Sequence, residues 1–208
     1  MCKTCYIFAA GDFYGNVTPN SNDLIIAADA GYHHIEKLGL HPDVILGDFD
    51  TIGDIPNHNN VIRFPTEKDY TDTELAIMEG IKYGYGKFII CGALGGSRLE
   101  HTIANIYLAA SYCKKGYDIT LTDGNYNIFP LHNGTKGFDE MHSGYISVFP
   151  ILGAANGVSE IGLKYNLENA TLDSANPTLC VSNEFMGTPS SVSVSNGTII
   201  IIWQNNLK

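Results

Sequence analysis

The sequence predicts an α/β protein, with a parallel-sheet, Rossmann-like α/β domain over residues 1–130 followed by an all-β sandwich domain over residues 131–208. Three observations carry this. Short buried apolar runs alternate with helical periodicities as far as Asp118–Thr122. Beyond Gly124 the helical period disappears, and short runs alternate with turn residues. Glycines and acids recur where the early apolar runs end, the place where open parallel sheets bind ligands.

The elements follow in order. Cys5 to Ala10 reads as a buried strand running into the turn Gly11-Asp-Phe-Tyr-Gly15, which offers a phosphate or nucleotide contact or a plain turn. Leu24 to Ala28 is a second strand, closed by Asp29-Ala-Gly31; Tyr32 to Leu38 is a helix stopped by Gly39 with Pro42 beyond. His33 and His34 are adjacent on that helix and do not face one ligand, which gives them surface or packing roles. Asp43 to Leu46 is a third strand. Gly47 then turns the chain so that Asp48 and Asp50 emerge together at the strand's carboxyl end with Phe49 pointing the other way. Such a pair is a ligand set for Mg²⁺, a hard ion that shares its shell with substrate phosphates, or else a loop whose acids satisfy their own turn.

After the polar loop Asn57 to Asn60, a short strand Val61–Phe64 precedes Thr66-Glu-Lys-Asp-Tyr-Thr-Asp-Thr-Glu74. Thr71-x-x-Glu74 has the form of a capping box, with Leu75, Ile77, Met78 and Ile81 as the apolar face behind it, so Asp69 and Asp72 sit at a helix N-terminus. The macrodipole alone stabilises acids there; with Lys68 beside them they also suit a cation and an anion site. Lys87 to Cys91 is a strand running into Gly92-Ala-Leu-Gly-Gly-Ser-Arg-Leu-Glu-His101, where glycines permit close backbone approach and Arg98 offers a fork for phosphate. The helix from about Glu100 to Lys115 would turn free N–H groups toward an anion and bury Ile103, Ile106, Tyr107 and Ala110. In the second half, Gly144–Phe149, Gly157–Leu163, Thr178–Ser182 and Ser190–Val194 read as short strands. Ser195-Asn-Gly-Thr198 reads as a hairpin turn before Ile199–Trp203.

With 12 basic against 22 acidic side chains the net charge is -10, which argues against a nucleic-acid or anionic-membrane surface. If phosphates are handled, a divalent cation and backbone amides must neutralise them. No apolar run approaches bilayer length, and Cys5 to Ala10 is too short and too poorly flanked to be a signal peptide, which predicts a cytoplasmic protein. Five cysteines are an odd number for a disulfide framework, and Cys2-Lys-Thr-Cys5 has redox or zinc spacing without a second pair.

Several segments together resemble the thiamine pyrophosphokinase (thiamine diphosphokinase) family: Ala28–Gly31, Leu46-Gly-Asp-Phe-Asp-Thr51, Thr66–Leu75, Gly92–Asn105, and Gly162-Leu-Lys-Tyr165 with Ser182-Asn-Glu-Phe185. The resemblance implies an enzyme moving the diphosphoryl unit of ATP onto the hydroxyl of thiamine with Mg²⁺. It further implies an α/β catalytic, nucleotide-binding domain, a thiamine-binding β-sandwich, and a homodimer with shared active sites. It assigns Asp48 and Asp50 to the metal, with Asp72 and Asp29 as nearby acids. Lys68, Asp69, Thr71, the glycine loop at Gly95 and Gly96, Arg98 and His101 fall to the phosphates, and Ser182, Asn183 and Trp203 to thiamine. Two departures stand out: Ser97 interrupts the Gly-Gly-Arg pattern, and Glu100 stands where the family usually has Asp. Asp72, ahead of Asp69, is the expected acceptor of the hydroxyl proton. A nucleotide-sugar glycosyltransferase using the Asp-x-Asp pair, or a nucleotide or thiamine sensor without turnover, are the competing readings.

Overall fold

The structure, a computed structural model, describes residues 3–49, 58–176 and 179–207. These fold as two compact units. The first holds the described residues up to Asn105 together with Tyr117–Gly124, and the second holds Ile106–Gly116 with the residues from Asn125 onward.

In the first unit, β1 (Cys5–Phe8), β2 (Leu24–Ala28), β3 (Val44–Gly47), β4 (Val61–Arg63), β5 (Lys87–Cys91) and β6 (Asp118–Thr122) form a parallel sheet in the order β6-β5-β1-β2-β3-β4. Every residue of β2 and β3 is buried, as expected of strands covered on both faces. A 3₁₀ turn, Asp29–Gly31, leads into α1 (Tyr32–Lys37); α2 (Asp72–Lys82) lies between β4 and β5; α3 (Leu99–Lys114) follows β5, its residues from Ile106 onward belonging to the second unit. The chain leaves β1 toward β4 on one side and returns to β5 on the other. The strand order therefore reverses between β1 and β5, and a crevice opens there at the carboxyl ends.

Two glycines make that crevice possible. A Cβ at Gly31 would stand 1.9 Å from the Phe8 carbonyl oxygen, and one at Gly92, whose φ is +68°, would stand 2.4 Å from that of Ala9. The amide of Gly11 donates to the Gly92 carbonyl at 2.8 Å, and that of Asp12 to the Leu94 carbonyl at 2.9 Å, so the loops after β1 and β5 are laced directly together.

The second unit is antiparallel. The strands β7 (Tyr126–Phe138), β9 (Tyr145–Ile161), β10 (Leu167–Leu172) and β12 (Ser190–Gln204) run in the order β10-β9-β12-β7. Strand β11 (Asn183–Glu184) pairs with β9, and β8 (His142–Ser143) pairs with β13 (Asn206–Leu207). One core gathers Ile146, Val148, Val158, Val192, Val194, Ile199, Ile201 and Trp203.

Three expectations are corrected here. Ser195–Thr198 is not a hairpin turn: β12 runs through it, pairing with β7 and β9 on both sides of a register shift. The Asn-Gly pair is absorbed as a bulge, because the Gly197 amide, at φ +120°, donates to the Asn133 side chain at 2.9 Å instead of closing a turn. Gly144–Phe149 and Gly157–Leu163 mostly belong to the single long strand β9, while the described part of Thr178–Ser182 forms turns and bends. The third concerns α3, which buries Asn105, Ala109, Ala110 and Tyr112 and leaves Ile103 and Tyr107 exposed. The helix is rotated because its inward polar residue, Asn105, donates to the Ala93 carbonyl at 2.9 Å.

Because the Gly31 conflict is backbone against backbone, no rotamer change relieves it. Gly31→Ala is expected to cost about 3 kcal/mol or more and to lower Tm by about 6–12 °C for a chain of this size, measured by thermal unfolding.

Candidate functional site

A cavity of about 560 Å³ opens at the carboxyl ends of the parallel strands, within the first unit. Its walls come from the loops after β1, β2, β3 and β5, the approach to α2 and the first turns of α3. Nine residues singled out by sequence line it: Asp29, Asp48, Lys68, Thr71, Asp72, Gly95, Gly96, Arg98 and His101. Asp69 lies on the approach to α2 but does not line the cavity, and Asp50 falls outside the described residues.

The acids are aimed by strained backbone. Phe49 holds φ +63°, a left-handed conformation that a bulky residue rarely takes, with its ring in the core; that twist turns Asp48 to the cavity. Asp29 holds φ +48° and is buried, in space left by Gly47, where a Cβ would meet Asp29 Cα at 3.2 Å. Strain of this kind collects at functional sites.

Lys68 ties the centre together. Its Nζ lies 3.1 Å from Asp48 Oδ2 and 2.9 Å from Asp72 Oδ1, and its side chain is only 12% exposed. Burial by itself would lower its pKa; the hydrogen bonds to Asp72 and Asp48, with their charges, outweigh that and hold it above the ordinary lysine value. Two carboxylates, one from the loop after β3 and one from the first turn of α2, thus converge on one cationic point. Thr71 starts α2 as expected, its hydroxyl accepting from the Glu74 amide at 3.2 Å, and this places Asp72 on the first turn.

On the opposite wall Gly95 and Gly96 have φ of +69° and +80°, and the Gly96 amide donates to Asp12 Oδ2 at 2.8 Å. Arg98 lines the cavity with its Nε 2.9 Å from Glu100 Oε1; both side chains are 67% exposed, so this is a loose, solvated pair. His34, on α1, contacts the Gly11 carbonyl at 2.8 Å and has the packing role expected of it. Asp12, Thr66, Tyr70, Thr102 and Asn105 fall inside segments that the sequence singled out, but none was given a role of its own. Asp12 holds the glycine loop from 84 positions away and Asn105 from 12, on the helix that follows it, and no hydrophobic pattern announces either partner.

The residues that the resemblance gives to thiamine lie in the second unit. Ser182 is exposed at φ +61°, its amide donating to Ser147 Oγ at 3.0 Å. Asn183 is buried, and Trp203 packs inside the core with its ring edge-on to Phe138 at 5.3 Å. Cys2 lies outside the described residues; Cys5, Cys91, Cys113 and Cys180 are free thiols. Burial pushes Cys91 and Cys180 up to about 12, so neither is a thiolate at neutral pH.

A parallel sheet whose switch-point crevice gathers acids, a lysine, an arginine and a glycine loop beside a helix start defines a phosphate-handling α/β protein. Residues 17–121 match the family model "Thiamin pyrophosphokinase, catalytic domain", and residues 137–199 match "Thiamin pyrophosphokinase, vitamin B1 binding domain". The chain belongs to the thiamin pyrophosphokinase family. Thiamine pyrophosphokinase of Bacillus subtilis (strain 168) is 28% identical over 213 residues, covering 96% of this chain and 98% of the relative. The crystal structure of Thiamine pyrophosphokinase from Bacillus subtilis superposes with a TM-score of 0.85 at 27% identity, over 98% of this chain and 100% of that one. That of an Enterococcus faecalis thiamin pyrophosphokinase family protein gives 0.82 at 25% identity, over 99% and 100%.

The Lys68 geometry sets a pH dependence. A raised lysine pKa contributes stability that is complete below the unfolded value of 10.5 and is lost as pH rises through the higher folded value. Lys68→Met is expected to destabilise by about 2 kcal/mol in metal-free buffer, between the exposed and buried ion-pair ranges. The gap to the parent should stay level from about pH 6 to 9 and close only in more alkaline solution, as read from denaturant unfolding at each pH.

Proposed function

We propose that this chain is a thiamine diphosphokinase, transferring the diphosphoryl group of ATP to the hydroxyl of thiamine and releasing thiamine diphosphate and AMP. The observation that carries it is the convergence of Asp48 and Asp72 on one cationic point in the switch-point cavity, in a chain whose two halves match the family's catalytic and vitamin-binding models. The glycosyltransferase and sensor readings gain nothing from those matches.

Mg²⁺ fits this site by its chemistry: carboxylate oxygen donors brought from the loop after β3 and the first turn of α2 to a position already suited to positive charge. Asp48, Asp72 and Asp50 would hold it, with Asp29 beside them. When bound, Mg²⁺ neutralises the phosphate oxygens and holds them in place. The protein's own groups do the rest. Lys68 is close enough to both acids to exchange them for a phosphate oxygen. Arg98, with amides of the glycine loop other than that of Gly96, which is bonded to Asp12, takes up charge that spreads over the transferring group. Asp72 accepts the thiamine hydroxyl proton as that oxygen attacks the β-phosphorus; the bond from the β-phosphorus to the oxygen bridging to the α-phosphorus breaks, and AMP leaves. Asp69, near but not on the cavity wall, ranks behind it.

The second unit is read as the thiamine-binding β-sandwich. Strands β9 and β12 shift register against each other between the pairs Asn156–Asn196 and Ile151–Thr198, and residues on both sides of that shift share one core. This is how long strands serve two layers. A homodimer is part of the reading. The exposed Tyr145, Val181 and Met186, which pair with or closely flank β11, offer an apolar surface for a second copy. A cytoplasmic location accompanies it; no helix among the described residues is long and apolar enough to cross a membrane.

The test is to incubate the pure protein with thiamine, ATP and Mg²⁺ and identify products by mass. Thiamine diphosphate and AMP are expected in equal amounts. Asp48→Ala should abolish Mg²⁺-dependent turnover, and Asp72→Asn should lower kcat by about 10²–10⁴-fold with the fold intact. Near-parental turnover in the Asp72 variant would remove it as the proton acceptor.

A further inference from the structure

Glu160 is the most deeply buried acid among the described residues, 1% exposed on β9. Val158, Leu163, Cys180, Phe185 and Val192 belong to the core around it. A carboxyl in such surroundings costs more than a leucine unless it is well bonded. Its Oε2 accepts from Asn183 Nδ2 at 2.5 Å. Its other polar neighbour is the thiol of Cys180, a weak donor, and Oε1 receives no full-strength hydrogen bond. Stability alone therefore does not explain the acid; its one strong bond is to Asn183.

Asn183 is a knot. Its Nδ2 also donates to the Tyr165 carbonyl at 2.7 Å, while its Oδ1 accepts from the Tyr165 amide at 3.0 Å and from the Glu184 amide at 2.9 Å. All the amide's bonding capacity is used inside the unit, so Asn183 has nothing left for a ligand. What it fixes is the surface edge beside it: Tyr165, 63% exposed, and Ser182, exposed and left-handed. Without Glu160, one amide proton of Asn183 loses its acceptor in a dry core, and the knot can turn to seek another.

We infer that Glu160 is a positioning residue for the vitamin: from within the core it locks Asn183, and through Asn183 it holds the Tyr165–Ser182 edge in the shape that receives thiamine. This rests on the reading of the second unit as the thiamine-binding one. It goes beyond that reading in giving a role to a residue that touches no substrate.

The experiment compares the parent with Glu160→Gln, Glu160→Met and Asn183→Ala in the full chain, measuring KM for thiamine, KM for ATP, kcat and Tm. Gln keeps an oxygen acceptor for Asn183 and should hold KM for thiamine near the parental value. Met fills the space without an acceptor and should raise KM for thiamine about tenfold. KM for ATP should stay within about twofold and Tm should fall by a few degrees, because one amide proton of Asn183 is left without an acceptor in the core. Asn183→Ala should give the same selective rise, and the double variant no further rise, because both act through one bond. An unchanged KM for thiamine in Glu160→Met overturns the inference. So does a parallel rise of both KM values, or a variant that does not fold, since each assigns Glu160 to the core alone. If the parent makes no AMP from ATP and thiamine, it is the proposed function that fails; an active parent with an indifferent Glu160→Met leaves that function standing.

Discussion

The crevice depends on two loops meeting backbone to backbone across the point where the strand order reverses. Gly11 and Asp12 donate to the carbonyls of Gly92 and Leu94, and Ala9 donates to that of Cys91. Any side chain on Gly11 or Gly92 would push these strands of backbone apart, since a Cβ on either would stand within 2.6 Å of a carbonyl oxygen. These are backbone hydrogen bonds of ordinary length, and the cavity wall is built on them. The Gly95–Gly96 turn is held by Asp12, the base of α3 by Asn105, and α1 by His34 on the Gly11 carbonyl.

Within that frame the electrostatics are local rather than global. The chain carries ten more acids than bases, a poor background for a polyanionic substrate. The cavity counters this with Lys68 and Arg98, with amides on a glycine turn and with the start of α2. The two cations are not equivalent. Lys68 is nearly buried and spent on Asp48 and Asp72, which makes it part of the acid cluster as much as a phosphate partner. Arg98 stands in solvent beside Glu100 and gives up little on leaving it. Incoming negative charge therefore meets one mobile donor and one that must first be released.

Much of the first unit was legible because its signals are local. Apolar runs of four to six residues, most of them ended by a glycine or an aspartate, marked the strands. Thr71 and Glu74 marked the start of α2, and the alternation at Asp48-Phe49 put the acid and the ring on opposite sides. What stayed hidden depends on partners distant in sequence. Asp12 meets Gly96 across 84 positions, and the inward face of α3 is set by Asn105, which no hydrophobic period would select. In the second unit the Asn196-Gly197 pair looked like a turn because such pairs usually close one. Here Asn133 captures the Gly197 amide, and the strand goes straight through. The resemblance gave Trp203 to thiamine, yet its ring belongs to the core, and the exposed aromatics of that unit include Tyr126, Tyr145 and Tyr165.

That uninterrupted β12 has a consequence for how the molecule is made. It is the central ribbon of the antiparallel sheet, bonded to β9 along one margin and to β7 along the other. Both of those leave the ribosome dozens of residues earlier. Until β12 arrives they expose long unpaired margins, the kind of edge that invites pairing with another nascent chain. The parallel sheet needs nothing beyond β6 and can settle first. Biogenesis is thus most vulnerable in a late interval, when the first unit is already folded and the second waits for its middle strand.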